Sequence, residues 1–196
     1  MTNRRSFLKL CSSGTLAIGL GITSMALSCA SIFADILKYV PVALQAFTAI
    51  LDILSGGGIA IGADAAITMA INLVKAGFAD LQVFVQQYDS APAADKSTLA
   101  GKIATGINLV IGDIQAFWVS LKLPDSDLAA IVQGLLAIIL STLEGFLPSL
   151  PAPVSAAALT VHIGKAIAYT PQKRSVKQFR KDFNAQLAKS GYKPKL

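Results

Sequence analysis

Residues 128–143 read LAAIVQGLLAIILSTL, sixteen positions without a charge and apolar nearly all round. A helix apolar on every side is either the central member of a bundle or a membrane segment. This run is shorter than the ~20 residues a span needs. Asp127 and Glu144 also bracket it tightly. Both facts favour a central helix, which requires neighbours to cover it.

The flanking sequence supplies such neighbours. Over about Ser31–Leu54, Phe33, Ile36, Val40, Leu44, Phe47, Leu51 and Leu54 recur at spacings of three and four, the signature of one apolar helical face. Pro41 should bend this helix or shift its start, because it lacks a backbone donor and crowds the preceding turn. Gly56-Gly57-Gly58 then ends it. Over about Ala63–Tyr88, Ile67, Ile71, Val74, Phe78, Leu81, Val85 and Tyr88 repeat the pattern. Beyond Pro92, Asp95 or Ser97 is placed to cap a third helix lined by Leu99, Ile103, Ile107, Val110, Ile114, Phe117 and Leu121. Leu123-Pro124-Asp125 forms a turn, with Asp125 as the expected cap of the fourth helix, which runs to about Leu147. Segments of roughly 24–27 residues would be about 36–40 Å long. Short joins between them imply antiparallel neighbours.

After Pro148, Pro151 and Pro153, a short segment over about Val154–Ala168 reads as helix, with a strand as the alternative. Pro171 ends it, and a last helix over about 172–189 aligns Val176, Phe179, Phe183 and Leu187, with Gly191 as the stop. The expected fold is therefore all-α: an antiparallel helical bundle of four main helices plus a C-terminal helical pair. Residues 31–196 would make one domain, the number the chain length suggests.

Composition agrees. Of 196 residues, 54% are hydrophobic and 14% charged, which excludes disorder. Two cysteines exclude a disulfide scaffold and a cysteine-rich zinc module.

Residues 1–30 are set apart as a targeting segment. Arg4-Arg5-Ser6-Phe7-Leu8-Lys9 is followed by an uncharged stretch from Leu10 to Cys29, interrupted by Gly14, Gly19 and Gly21. This resembles a bacterial twin-arginine export signal, with Asn3 where that pattern usually has Ser or Thr. The alternative is a transmembrane anchor, since no charge occurs from Leu10 to Ala34. The resemblance implies a protein that folds in the cytoplasm and crosses the inner membrane folded, to reside in the periplasm or cell envelope. Ala26-Leu27-Ser28-Cys29 resembles a lipobox, which would place an acyl anchor on Cys29. Cleavage after Ser28 or Ala30 is the competing reading. Cys11 would be removed with the signal.

Charge is segregated. Residues 29–164 carry five lysines against ten acids, net −5, whereas residues 165–196 carry nine basic residues against Asp182, net +8. Such asymmetry marks an interacting tail. Around the Val176, Phe179, Phe183, Leu187 stripe sit Lys173, Arg174, Lys177, Arg180, Lys181 and Lys189. The narrow stripe and the opposite charge of the body favour docking within the chain. Contact with anionic lipid is the second placement and a partner protein the third. Nucleic acid is not expected, because little aromatic interleaving is available for base stacking.

No catalytic grouping emerges, and no metal or cofactor is expected. Gly56-Gly57-Gly58 with Gly62 lacks both dinucleotide and phosphate-loop spacing. His162 is the sole imidazole and no Gly-x-Ser-x-Gly elbow accompanies it. Asp80 and Asp113 could face one another as an acid pair, but solvated acids are the simpler reading. Trp118 reads as core or core edge. The function expected is that of a non-enzymatic, exported helical-bundle protein with a structural or interaction role. Carriage of a lipid or other apolar ligand between the helices is an alternative. Membrane association through helix 128–143 or the basic tail is another.

Overall fold

The structure is a computed structural model. It describes residues 23–123, 126–150, 167–193 and 195–196, with side chains from Ser31 onward. Five α-helices follow one another: α1 Thr23–Gly56, α2 Ala65–Ser90, α3 Ala93–Ser120, α4 Asp127–Phe146 and α5 Val176–Lys189, with a 3-10 turn at Leu147–Ser149. The fold is all-α, and the helices pack around one shared core.

Side-chain contacts fix the topology. Phe33 stacks on Tyr88 with centroids 3.6 Å apart, pairing the start of α1 with the end of α2. Gly77 lies against Val110, and Gly106 against Leu81, so α2 and α3 run antiparallel as a close hairpin. Gly57 at the end of α1 meets Leu128 at the start of α4. The Tyr39 hydroxyl of α1 donates to the Ile139 carbonyl of α4 at 3.1 Å. The four long helices thus alternate in direction and close through α1 and α4. Phe47 and Phe117 meet edge-on across the middle, 5.0 Å apart.

α4 occupies the position that its composition demands. It packs against α1, α3 and α5, burying Val132, Leu135, Leu136, Ile139, Leu140 and Leu143 completely. Only Asp127 and Ala130 of this helix are exposed.

Helix ends differ from the sequence expectations in instructive ways. Asp64 caps α2, accepting from Ala66 N at 2.7 Å and Ile67 N at 3.3 Å. Neither Asp95 nor Ser97 caps α3: the helix begins at Ala93 behind Pro92. Asp95 N donates to the Pro92 carbonyl at 3.0 Å, and the Asp95 carboxylate sits in the first turn, where it complements the helix dipole. Ser126 caps α4 by accepting from Ala129 N; Asp125 lies outside the described residues. α1 continues without interruption past Pro41, which is exposed, so its start is not shifted there. The packing of Tyr39, Val40, Ala43 and Phe47 around that turn outweighs one missing hydrogen bond.

Of the expected C-terminal pair, α5 is present and begins at Val176 rather than 172. Ser175 caps it through Gln178 N, because residues 172–175 are held extended by other contacts. Its end is a Schellman motif. Tyr192 N reaches the Leu187 carbonyl and Gly191 N the Ala188 carbonyl, with Gly191 at φ 76°, a conformation that favours glycine. The segment expected over 154–168 lies outside the described residues apart from Ile167 and Ala168, which are not helical.

By length and composition alone, four stretches are apolar enough to cross a membrane: Ser31–Gly56, Ala65–Ser90, Ala93–Ser120 and Asp127–Ser149. Part of their polar complement is exposed and part, Gln115, Ser141 and Thr142, is buried. Asp35, Lys38, Gln45, Thr48 and Asp52 form the exposed stripe of α1, and Lys75 and Asp80 are exposed on α2.

Candidate functional site: the docked basic tail

The groove between α1 and α4 receives α5. Phe179, Phe183 and Leu187 are all 0% exposed, and Val176 is half-buried. The Phe179 ring meets Tyr39 edge-on at 5.0 Å and stacks on Phe183 at 5.9 Å. Tyr39 also meets Phe146 edge-on. Complete burial pushes the Tyr39 phenol well above its ordinary range, so it remains a neutral donor to Ile139. α5 runs parallel to α1, with Lys173 3.6 Å from Asp35 at one end and Lys195 3.1 Å from Asp52 at the other.

The segment leading into α5 is pinned through its backbone. Gln115 of α3 reads both faces of one peptide position, accepting from Ile167 N at 3.0 Å and donating to the Ile167 carbonyl at 3.4 Å. The Ser141 hydroxyl donates to the Thr170 carbonyl, and Gln172 N donates to the Ser141 carbonyl at 2.9 Å. Ser141 and Thr142 lie in α4 and are buried. They would be a liability in an apolar helix without partners; here they hold the strap.

Arg174 completes the clasp. Its Nε lies 2.9 Å from Asp182, and one terminal nitrogen reaches Ser141 Oγ at 2.8 Å and Thr142 Oγ1 at 3.3 Å. Gln178 donates to the other Asp182 oxygen at 2.6 Å. The planar guanidinium fork suits this divergent set of acceptors. Close approach depends on Gly145: a Cβ there would fall 2.3 Å from Lys173 N and 2.4 Å from the Gln172 carbonyl carbon. The chain end folds back on α5, where the Asn184 amide binds the backbone of Lys195 and Leu196.

With its apolar stripe inward, α5 turns Lys177, Arg180, Lys181 and Lys189 to solvent. Among the described residues the ion pairs of the tail are those of Lys173, Arg174 and Lys195, and no carboxylate faces the other four.

The remaining candidates are dispersed. Arg4, Arg5, Phe7, Leu8, Lys9 and His162 lie outside the described residues, and Cys29 falls within the backbone of α1 with its side chain likewise outside them. Asp80 is exposed, whereas Asp113 is half-buried beside Gly77 and lies about two helical turns from the level of Asp80. No hydrogen bond joins the two. Burial raises the Asp113 carboxyl above its usual range. Glu144 sits beside Tyr169, whose phenol burial also raises. Trp118 packs half-buried at the core edge. The glycine run is a helix-to-helix turn, Gly58 holding φ 85°, and the Asp64 carboxylate caps the α2 N-terminus. Among the described residues no three His, Cys, Asp or Glu side chains gather as a metal site. Sequence reasoning missed Gln115, Ser141, Thr142, Arg174 and Gly145 as the clasp. The available signal was the polar Ser141-Thr142 pair ending an otherwise apolar run. No known protein family, curated protein or solved structure matches this chain.

Proposed function

We propose that the chain is an exported, non-enzymatic helical-bundle protein of the bacterial cell envelope, whose role is structural contact rather than chemistry. One observation carries the reading. Buried Tyr39, Gln115, Ser141 and Thr142 and partly buried Arg174 take part in hydrogen bonds that seat the C-terminal segment or brace α1 against α4. The bundle is net acidic in sequence and α5 turns Lys177, Arg180, Lys181 and Lys189 to solvent, charges suited to interaction. The export half rests on the resemblance of Arg4-Arg5-Ser6-Phe7-Leu8-Lys9 to a twin-arginine signal, read as an address rather than an anchor.

Cell fractionation tests it. The wild-type chain should appear processed in the envelope fraction, and the double variant Arg4→Lys, Arg5→Lys should accumulate as unprocessed precursor in the cytoplasm. Continued export of the double variant through the general secretion route, or a wild-type chain that stays cytoplasmic, would refute the reading.

A further inference from the structure

The exposed large hydrophobic side chains of the described structure are Met69, Leu73, Val83, Leu109 and Val119. All five belong to one element, the α2–α3 hairpin, and α1, α4 and α5 contribute none. Met69 is 65% exposed and Leu109 60%. On α2, Met69, Leu73, Ala76, Asp80 and Val83 recur at spacings of three and four, as do Thr105, Leu109, Gly112, Ala116 and Val119 on α3; every one is exposed. Each stripe lies beyond the edge where its helix touches the other, on the side away from the core. The two stripes therefore form one face. Isolated surface hydrophobics need no explanation, but a contiguous patch of this kind marks a contact surface.

We infer that this face is the interface of a homodimer, with a second copy of the chain as its occupant. Two arguments favour a copy over a lipid bilayer. The first is size. α2 and α3 have 26 and 28 residues, hence lengths of about 39 and 42 Å, and each is about 10 Å wide. Their joint outer face is on the order of 800 Å², the area that one partner of a standard stable interface buries. The second is charge. Asp80, inside the α2 stripe, and Lys102 are exposed on the same face, and their charges penalise burial in hydrocarbon.

The shape of the face also complements itself. The hairpin register set by Gly77 on Val110 and Gly106 on Leu81 puts Leu73 level with Ile114, between Gly112 and Ala116. A two-fold axis parallel to the helices lays α2 of one copy over α3 of the other at equal height. Leu73 then enters the shallow site between Gly112 and Ala116 of the partner subunit, and the reciprocal contact forms by symmetry. An added Cβ at Gly112 meets nothing within 4 Å, so the site is open to the incoming side chain. Such an isologous contact closes on itself and stops at two chains. The inference is independent of the export reading and of the docked tail.

Sedimentation equilibrium of the purified protein over 1–100 µM tests it, with Leu109→Glu and Leu73→Glu as variants at exposed positions. The expected result is a wild-type mass approaching two chains at the top of the range. Each variant should lower the association constant at least 100-fold with its circular dichroism spectrum and Tm unchanged. Wild type that stays monomeric at 100 µM overturns the inference, as does a Leu109→Glu variant that still dimerises. A monomer that floats with phosphatidylglycerol–phosphatidylethanolamine vesicles, and ceases to float as Leu109→Glu, overturns it in favour of the bilayer.

Discussion

Substituting Gly145 by alanine tests the clasp more sharply than any polar deletion. In a helix interior the change normally stabilises by up to about 1 kcal/mol, since alanine loses less backbone entropy. At Gly145 the new Cβ would stand 2.3 Å from Lys173 N and 2.4 Å from the Gln172 carbonyl carbon. Both are backbone atoms, so no rotamer change relieves the overlap. The strap must retreat by about 1 Å, which lengthens the Gln172–Ser141 bond and draws Arg174 off Ser141 and Thr142. Overpacking of this kind costs about 1–3 kcal/mol, and each weakened hydrogen bond about 1 kcal/mol more. Full release of α5 sets the ceiling. Exposing Phe179, Phe183 and Leu187 costs about 1.5–3 kcal/mol each, less the burial that an unfolded chain retains. A net loss of about 2–3 kcal/mol follows, or roughly 5–10 °C in Tm for a chain of this size. Gly101→Ala is the control, because nothing lies within 4 Å of its added Cβ; it should leave Tm unchanged or raise it. The assay is thermal unfolding at 222 nm, paired with limited trypsin digestion at Lys177, Arg180 and Lys181, which should be faster in Gly145→Ala. A Gly145→Ala protein as stable as wild type, or a Gly101→Ala protein destabilised equally, would refute the clasp.

Arg174→Leu should cost about 2 kcal/mol by denaturant titration, since it removes the cation paired with Asp182 and a donor to two buried hydroxyls; Arg174→Lys should recover only part of this, as one ammonium cannot reach the three acceptors. Burial raises the Asp113 carboxyl, so its contribution is complete at low pH and is lost as pH rises through the raised value. Asp113→Asn should therefore raise Tm at about pH 7 and give no advantage near pH 3, and an equal gain at both pH values would contradict the desolvation argument. For lipidation at Cys29, Cys29→Ala should move the protein from the membrane to the soluble fraction and abolish the acyl mass; unchanged mass and partitioning would favour simple cleavage.

Much of the fold follows from local periodicity. The apolar spacings of α1, α2 and α3 are properties of the sequence, and so is the all-round apolar run that becomes α4, because a 3.6-residue repeat displays a face without any knowledge of its partner. The Val176, Phe179, Phe183, Leu187 stripe and the +8 of residues 165–196 are equally local. Helix starts were less legible. Asp95 had the chemistry of a cap, yet Pro92 pre-empted the position by its own fixed backbone, and the cap of α4 is Ser126. Pro41 signalled a bend or a shifted start, and the helix begins at Thr23 and continues past it. Only tertiary structure decided where the tail stripe lies and what holds it there. Gln115 and Ile167 are 52 residues apart, and Ser141 and Arg174 are 33 apart. Such pairings cost loop closure before they form and leave no periodic trace in the chain. Gly145 shows the limit most plainly. In sequence it is one small residue near a helix end, and its reason is a backbone that arrives from elsewhere in the chain to within a distance no side chain allows.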